Sequence, residues 1–414
     1  MSTSTPRPGH PELLVPHRYV TLIRRILADR VEETDTAGDA PDDRGLVPIK
    51  LREGKDPDEA LKDLRSKASQ EYNWIPTAGH NRELDLAITG QPQDSAGGHK
   101  AMPARALMPR EDSTVGAGVT VGIVDTRVYA NDWLYGAVVA DPSDIMTKPD
   151  ELDRDQDGLL DAQAAHATFT AGLVLRQAPA ATVRVDHGLD NVGRGSTGGV
   201  AAAAVRLAKQ GVDVLNLSLG CRTEDNLPPT GLIEMVRQIH PGIVIVAAAG
   251  NLRLIEDGES RKDNKYDAAQ AFFPAALDSV VAVGAVGRRD GRDDGGWHPA
   301  PFSNYGPWLD FAAPGVDVES TFVDFQSAAK DKVRLQFRGW AFWSGTSFAT
   351  AIASGTIAAT MSEHGLSARD AVARLRRDED LPVAEFPGIC VPVLQQAPWD
   401  HVPAGHRGAP ANSA

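Results

Sequence analysis

The chain has 414 residues, 42% hydrophobic and 24% charged, with a formal net charge of −14 at neutral pH. That balance suits a folded protein with a sizeable core, and the acidity excludes a basic stripe able to hold nucleic-acid phosphates. Two cysteines, Cys221 and Cys390, exclude a disulfide framework or a cysteine-rich zinc site; with neither a signal-peptide pattern nor a stretch of roughly eighteen apolar residues, a soluble, cytoplasmic protein without nucleic-acid or membrane partners is expected.

Residues 18–31, RYVTLIRRILADRV, place Tyr19, Leu22, Ile23, Ile26 and Leu27 on one helical face, with Arg24 and Arg25 on the other. The acidic stretch EETDTAGDAPDDRG reads as a linker. In DPDEALKDLRSK, Asp56 is placed as helix cap, Pro57 at the first helical position and Glu59 as the partner of a capping box. GLVPIKL and RELDLAIT alternate as strands do. Residues 1–112 are therefore expected to form a small α+β region, ending in the loop GQPQDSAGGHKAMPARALMPRED.

From about residue 116 the texture changes. GVTVGIVD, VDVLNLSLG, GIVIVAAAGN and SVVAVGAV are short, nearly continuous apolar runs, and helical stretches such as GGVAAAAVRLAKQ lie between some of them. Strands apolar on both faces alternating with helices indicate a doubly wound α/β fold, its mostly parallel sheet covered by helices on both sides. Ligands of such sheets collect beyond the carboxyl ends of the strands, which directs attention to Asp125, to Ser218–Gly220 and to Asn251. The segment 381–414 is a C-terminal extension, and its end, rich in proline and glycine, is expected to be disordered.

WSGTSFATA, residues 343–351, sets Ser347 at the mouth of a helix behind a glycine. A helix N-terminus caps well with serine, but it also offers free N–H groups to an oxyanion. A serine nucleophile needs a base, and the base needs a third group to hold its tautomer. Asp125 ends a buried strand, where an unpaired carboxylate is costly, and His166 opens the helical stretch HATFTAGLVL.

The ordered blocks IVDT (123–126), HATFTAG (166–172), SLG (218–220), AAAGN (247–251) and GTSFATA (345–351) resemble those of subtilisin-like serine peptidases of the S8 family, over roughly residues 113–380. The resemblance implies a serine endopeptidase working on protein or peptide substrates through an acyl-enzyme, with Asp125, His166 and Ser347 as the triad and the Asn251 amide in the oxyanion hole. It implies that Leu217, Ser218, Leu219 and Gly220, with Ala248, Ala249 and Gly250, line the substrate cleft, whose pocket is expected to take an uncharged, apolar or small side chain. The N-terminal region then reads as prosegment-like, or as a partner-binding or autoinhibitory unit. Four positions depart from the pattern: Arg127 stands for a glycine, Ala167 for a glycine, Phe169 for a second histidine and Ala351 for a proline. None is a proton-transfer group.

Two other signals compete. Gly193, Gly195 and Gly198 have dinucleotide-loop spacing, the mark of a nucleotide-binding oxidoreductase, although the preceding strand does not run directly into them. A degenerate, binding-only peptidase fold is the other alternative. DRDQDGLLD carries Asp153, Asp155, Asp157 and Gly158 at calcium-loop spacing, but Ala164 occupies the twelfth position where a bidentate glutamate is needed. Structural calcium is thus conceivable there, while the chemistry is expected to need no metal or cofactor. Cys221 reads as a small buried thiol.

Overall fold

The computed structural model describes residues 12–32, 46–72, 74–86, 101–104, 113–223, 225–251, 268–288, 296–328 and 335–396. Most of the acidic linker, most of the loop over 90–112 and the tail after 396 lie outside the described residues.

In the N-terminal region the strand Glu12–Pro16 runs antiparallel between Leu46–Lys50 and Gly79–His80. The helices Val20–Ile26 and Pro57–Tyr72 pack against this sheet through Ile23, Leu27, Leu61 and Leu64, all buried with Leu13, Val15, Val47 and Ile49. The first helix is shorter than its periodicity predicts. It ends at Ile26 because Val31 bridges to Leu51, which pulls the chain back to the sheet. The cap expected at Asp56 forms, its Oδ1 accepting the Glu59 N–H at 3.0 Å.

The main sheet has eight strands. In order they are His298–Pro299, Val280–Gly287, Val244–Ala248, Val214–Leu217, Thr120–Asp125, Thr182–His187 and Val138–Ala140, with Phe311–Pro314 also pairing to Val280–Gly287. Every pairing is parallel except that of His298–Pro299. The continuous apolar runs are explained by burial on both faces. Val121 and Ile123 enter one core cluster and Val124 the other; Val214 enters the first, Leu215 and Leu217 the second.

On the first face lie the helices His166–Gln177 and Thr346–His364, called here the histidine and serine helices. On the second lie Thr197–Lys209 and Thr230–Gln238. Gly355 lets the first pair approach closely: a Cβ there would stand 2.7 Å from the carbonyl oxygen of Val174. The hairpin Val383–Phe386 and Ile389–Pro392 buries Ala384, Phe386 and Val391 in the second cluster. Among the described residues no helix is long and apolar enough to cross a membrane.

Candidate active site

Asp125 is the last residue of the strand Thr120–Asp125, and His166 the first of the histidine helix. His166 Nδ1 lies 2.7 Å from each Asp125 carboxylate oxygen, with both side chains wholly buried. An acceptor-only carboxylate there fixes the tautomer with the proton on Nδ1 and leaves Nε2 as the basic nitrogen. Asp125 is held in turn. Its Oδ1 accepts the Thr126 N–H at 2.6 Å, and Thr170 Oγ1 approaches Oδ2 at 3.4 Å while donating to the His166 carbonyl at 2.8 Å. The histidine helix is pinned from its other side, where Ser320 and Thr321 donate to the carbonyls of Phe169 and Thr168.

Ser347 is the second residue of the serine helix, where a backbone N–H has no intrahelical acceptor. The residue after it, Phe348, lays its ring 5.4 Å from the imidazole of His166, and Trp343 meets the same imidazole edge-on at 5.8 Å. The Ser347 hydroxyl does not bond to His166. It donates to the Ser218 carbonyl at 3.0 Å, while Ser218 Oγ donates back to the Ser347 carbonyl at 2.8 Å. His166 Nε2 is buried without a hydrogen-bond partner. Asp125 and His166 are thus paired, while Ser347 is engaged by Ser218 and reaches the imidazole's surroundings only through the neighbouring Phe348 ring.

Asn251 closes the run after Val244–Ala248 and bridges to Ser303. Its Oδ1 accepts from Thr346 N at 3.1 Å and from Thr346 Oγ1 at 2.9 Å. A backbone N–H can be met only by the oxygen, so the amide orientation is set and Nδ2 faces the other way. That nitrogen stands 3.6 Å from where a Cβ on Gly345 would be.

The substrate-lining residues expected from sequence divide. Leu219 and Gly220 carry an added strand, described below, whereas Leu217, Leu219 and Ala249 send their side chains into the second core cluster. Ala248 packs instead against Phe272. The motif reading missed Asn216 and Ser354. Asn216 Nδ2 donates to Ser218 Oγ, and its Oδ1 accepts from Ser354 Oγ, which completes a buried polar chain leading to Ser347. Alternation could have flagged Asn216, a polar residue inside the buried strand VLNL.

The four departures have physical readings. Phe169 packs 4.5 Å from Phe348 and 5.7 Å from Trp343, so an aromatic core replaces a polar group where burial is complete. The Ala167 N–H donates to Thr126 Oγ1. Ala351 sits in an unbroken helix. Arg127 pairs with Glu151 at 3.3 Å. Burial pushes the Cys221 thiol up to about 12, which keeps it protonated and inert.

A strand of the chain itself pairs with the segment expected to line the substrate cleft. Glu83–Leu86 runs antiparallel between Arg194–Ser196 and Leu219–Gly220, with Leu84 opposite Gly195, Asp85 opposite both Arg194 and Gly220, and Leu86 opposite Leu219. Leu84 is wholly buried and joins the cluster of Leu189, Val200 and Leu219. The N-terminal region is anchored close by. Thr197 N donates to the Arg82 carbonyl at 2.7 Å, Gly198 N donates to Asn81 Oδ1 at 3.1 Å, and Gly79 lies directly against Thr230. The Gly193–Gly198 loop therefore receives a peptide strand and an asparagine side chain, and its geometry does not favour the dinucleotide reading.

In the acidic loop, Asp153, Asp155 and Asp161 bring carboxylate oxygens within 4.8 Å of one another. This corrects the expected trio: Asp157 turns its Oδ1 to the Leu159 N–H at 2.8 Å, and Asp161 takes its place in the cluster. Burial raises the Asp161 carboxyl above its usual range, and the charges of Asp155 and Asp153 add to this, against the Asn191 and Arg154 donors.

The subtilase family model matches residues 116–377. The chain belongs to the subtilase family. It is 32% identical over 262 residues to the "Thermophilic serine proteinase" of Bacillus sp. (strain AK1), covering 61% of this chain and 55% of that one. It is likewise 32% identical over 286 residues to "Subtilisin-like protease 2" of Pseudogymnoascus destructans, covering 66% and 59%. The subtilase chain thus spans a little over half the length of these curated relatives. The crystal structure of fervidolysin from Fervidobacterium pennivorans, a keratinolytic enzyme related to subtilisin, matches 90% of this chain and 57% of its own at 17% identity, with a TM-score of 0.55, which supports the subtilisin-like fold.

Proposed function

We propose that this subtilase is a serine endopeptidase, hydrolysing peptide bonds through an acyl-enzyme, and that its N-terminal region holds it shut. The observation that carries this reading is the buried Asp125–His166 pair with a bare Nε2, set beside Ser347 at a helix mouth while a strand of the chain lies along the same cleft. In the reaction the Ser347 hydroxyl turns from the Ser218 carbonyl to His166 Nε2 and attacks the substrate carbonyl carbon. His166 takes the proton, and the imidazolium is stabilised by Asp125. The oxyanion is met by Asn251 Nδ2 and the Ser347 N–H at the positive end of the helix. Collapse of the tetrahedral adduct breaks the C–N bond, with the proton passing from His166 to the leaving amine. Water, deprotonated by the same nitrogen, then releases the acyl group and restores Ser347.

The inserted strand binds as a substrate would, through main-chain hydrogen bonds on both sides. We place the bond that the enzyme cuts in its own chain within the few residues after Leu86. A divalent cation, calcium by the oxygen-only donor set, would be held by Asp153, Asp155 and Asp161, with the sharp turn at Gly158 (φ +81°) closing the loop. It would steady the loop leading to His166 and take no part in proton transfer.

The test is labelling of the purified chain with a fluorophosphonate, peptide mapping of the adduct, and hydrolysis of a peptide library. Adduct on Ser347, absent in Ser347→Ala, with peptide cleavage is the expected result. A properly folded Leu84→Ala chain, its inserted strand loosened, that neither labels nor cleaves refutes the reading.

A further inference from the structure

Two glycines, one in each segment expected to line the substrate cleft, pack on a single aromatic ring. Gly220 belongs to the segment that pairs with the inserted strand, and Gly250 lies in the segment leading to Asn251. That ring belongs to Phe272. A Cβ on Gly220 would lie 2.4 Å from Phe272 Cε1, and a Cβ on Gly250 would lie 2.8 Å from both Cδ1 and Cγ. The ring therefore touches both segments and leaves no room for a side chain at either glycine. It is 5% exposed and packs on Ala248 and Trp308.

The ring is also held in place. The Arg222 guanidinium lies 5.5 Å from its centroid, and Arg222 Nη2 donates to Asn304 Oδ1 at 2.8 Å. Asn304 Nδ2 donates to the Ala249 carbonyl, and Asn304 N to the Gly250 carbonyl, each at 2.9 Å. Phe273 and Cys221 exchange two backbone hydrogen bonds of 2.8 Å, which fixes the chain on the other side of the ring. Swinging the ring out would strip this contact set and expose a buried aromatic surface.

We propose that Phe272 sets the depth of the pocket that receives the substrate side chain next to the scissile carbonyl, and limits it to Gly, Ala or Ser. The inference rests on the peptidase reading above. A peptide paired with Leu219–Gly220 passes Ser218, whose carbonyl holds the Ser347 hydroxyl. The side chain on the reacting carbonyl's own residue then enters the gap between the two glycine-bearing walls, and that gap holds the Phe272 ring. A methyl group fits at its mouth; a leucine or phenylalanine does not. Neither wall offers room by retreating, because the glycines already lack the atoms that would collide.

The experiment uses the full-length protein and peptides that differ only in that residue: Gly, Ala, Ser, Leu or Phe. Active sites are counted by fluorophosphonate titration. For the wild type, kcat/KM with Ala should exceed that with Leu or Phe by about 10²-fold, the scale of discrimination by pocket size. Phe272→Ala should raise the Leu and Phe values by at least about tenfold and move the Ala value by no more than about threefold. If Phe272→Ala fails to titrate, Phe272→Leu, which keeps most of the core volume, should still narrow the Ala-to-Phe ratio. A wild type that cleaves the Leu and Phe peptides as fast as Ala, or a titratable variant with an unchanged ratio, overturns the proposal. Labelling at Ser347 without cleavage of any peptide overturns it while sparing the nucleophile; neither labelling nor cleavage removes the peptidase reading and this inference together.

Discussion

Leu84→Ala should release the cleft. Leu84 is wholly buried opposite Gly195 and is part of the cluster that includes Leu189, Val200 and Leu219. Truncating a buried leucine costs about 2–5 kcal/mol, toward the low end where the site can relax, as beside a short strand. Taking about 2 kcal/mol, the balance between strand-in and strand-out shifts by about 30-fold, since 1.4 kcal/mol is a factor of ten. If strand-out molecules alone admit a reagent to Ser347, labelling by a small fluorophosphonate should accelerate by that factor while the strand is mostly inserted. The assay is the initial labelling rate of intact full-length protein, with mass spectrometry at each time point to exclude chains already cut. The melting temperature of the bulk of the molecule should change little, because the strand that carries Leu84 lies outside the eight-stranded sheet. An unchanged labelling rate in an intact, folded variant would refute the claim that this strand is the closed state.

Asn251→Ala should lower the acylation rate by about 10²–10³-fold with little change in KM, because its Nδ2 is needed mainly in the transition state; stopped-flow acylation checks this. Adding calcium should raise the melting temperature of the wild type but not of Asp161→Asn, since Asp161 completes the carboxylate cluster. Glu319 is pushed up to about 7 and Arg176 down to about 9, each mainly by burial. A carboxyl raised in the folded state favours folding below its unfolded pKa and loses that advantage as pH climbs to about 7. The stability of wild type relative to Glu319→Gln should therefore fall between about pH 4.5 and 7, by no more than about 2 kcal/mol given partial exposure; a difference flat with pH in thermal melts would contradict it.

The sheet was legible because burial on both faces writes itself as unbroken apolar runs, and each run's last residues fall at the functional edge. That rule alone singles out Asp125, Ser218–Gly220 and Asn251; Ser347 is picked out by its place behind a glycine at a helix mouth, and the motif order adds His166. What stayed hidden depended on contacts between distant segments. ELDL alternates like any half-buried strand, and nothing within its four letters says that it pairs with Arg194–Ser196 and Leu219–Gly220. ELLVP, before the first helix, is too short to declare itself central in a sheet. Asp161 entered the acidic cluster over Asp157 because carboxylate direction in a loop is set by local N–H donors, here that of Leu159, and not by spacing.

On the closed-cleft reading proposed above, the short inserted strand would hold the cleft because it is tethered. A four-residue strand would bind weakly as a free peptide, yet a tether supplies an effective concentration of order millimolar. That tether has two parts. One is the covalent chain beyond Leu86, and the other is the docking of the N-terminal sheet through Gly79 on Thr230, Leu14 by Gly231, and Asn81 on Gly198. Cutting the first leaves the second intact, so cleavage and opening are separate events. The strand's local concentration stays high after the cut until the sheet undocks. On that proposal the barrier to release would reside in the surface around Thr230 and Thr197, and changes there should alter how long the cleft stays closed without touching Asp125, His166 or Ser347.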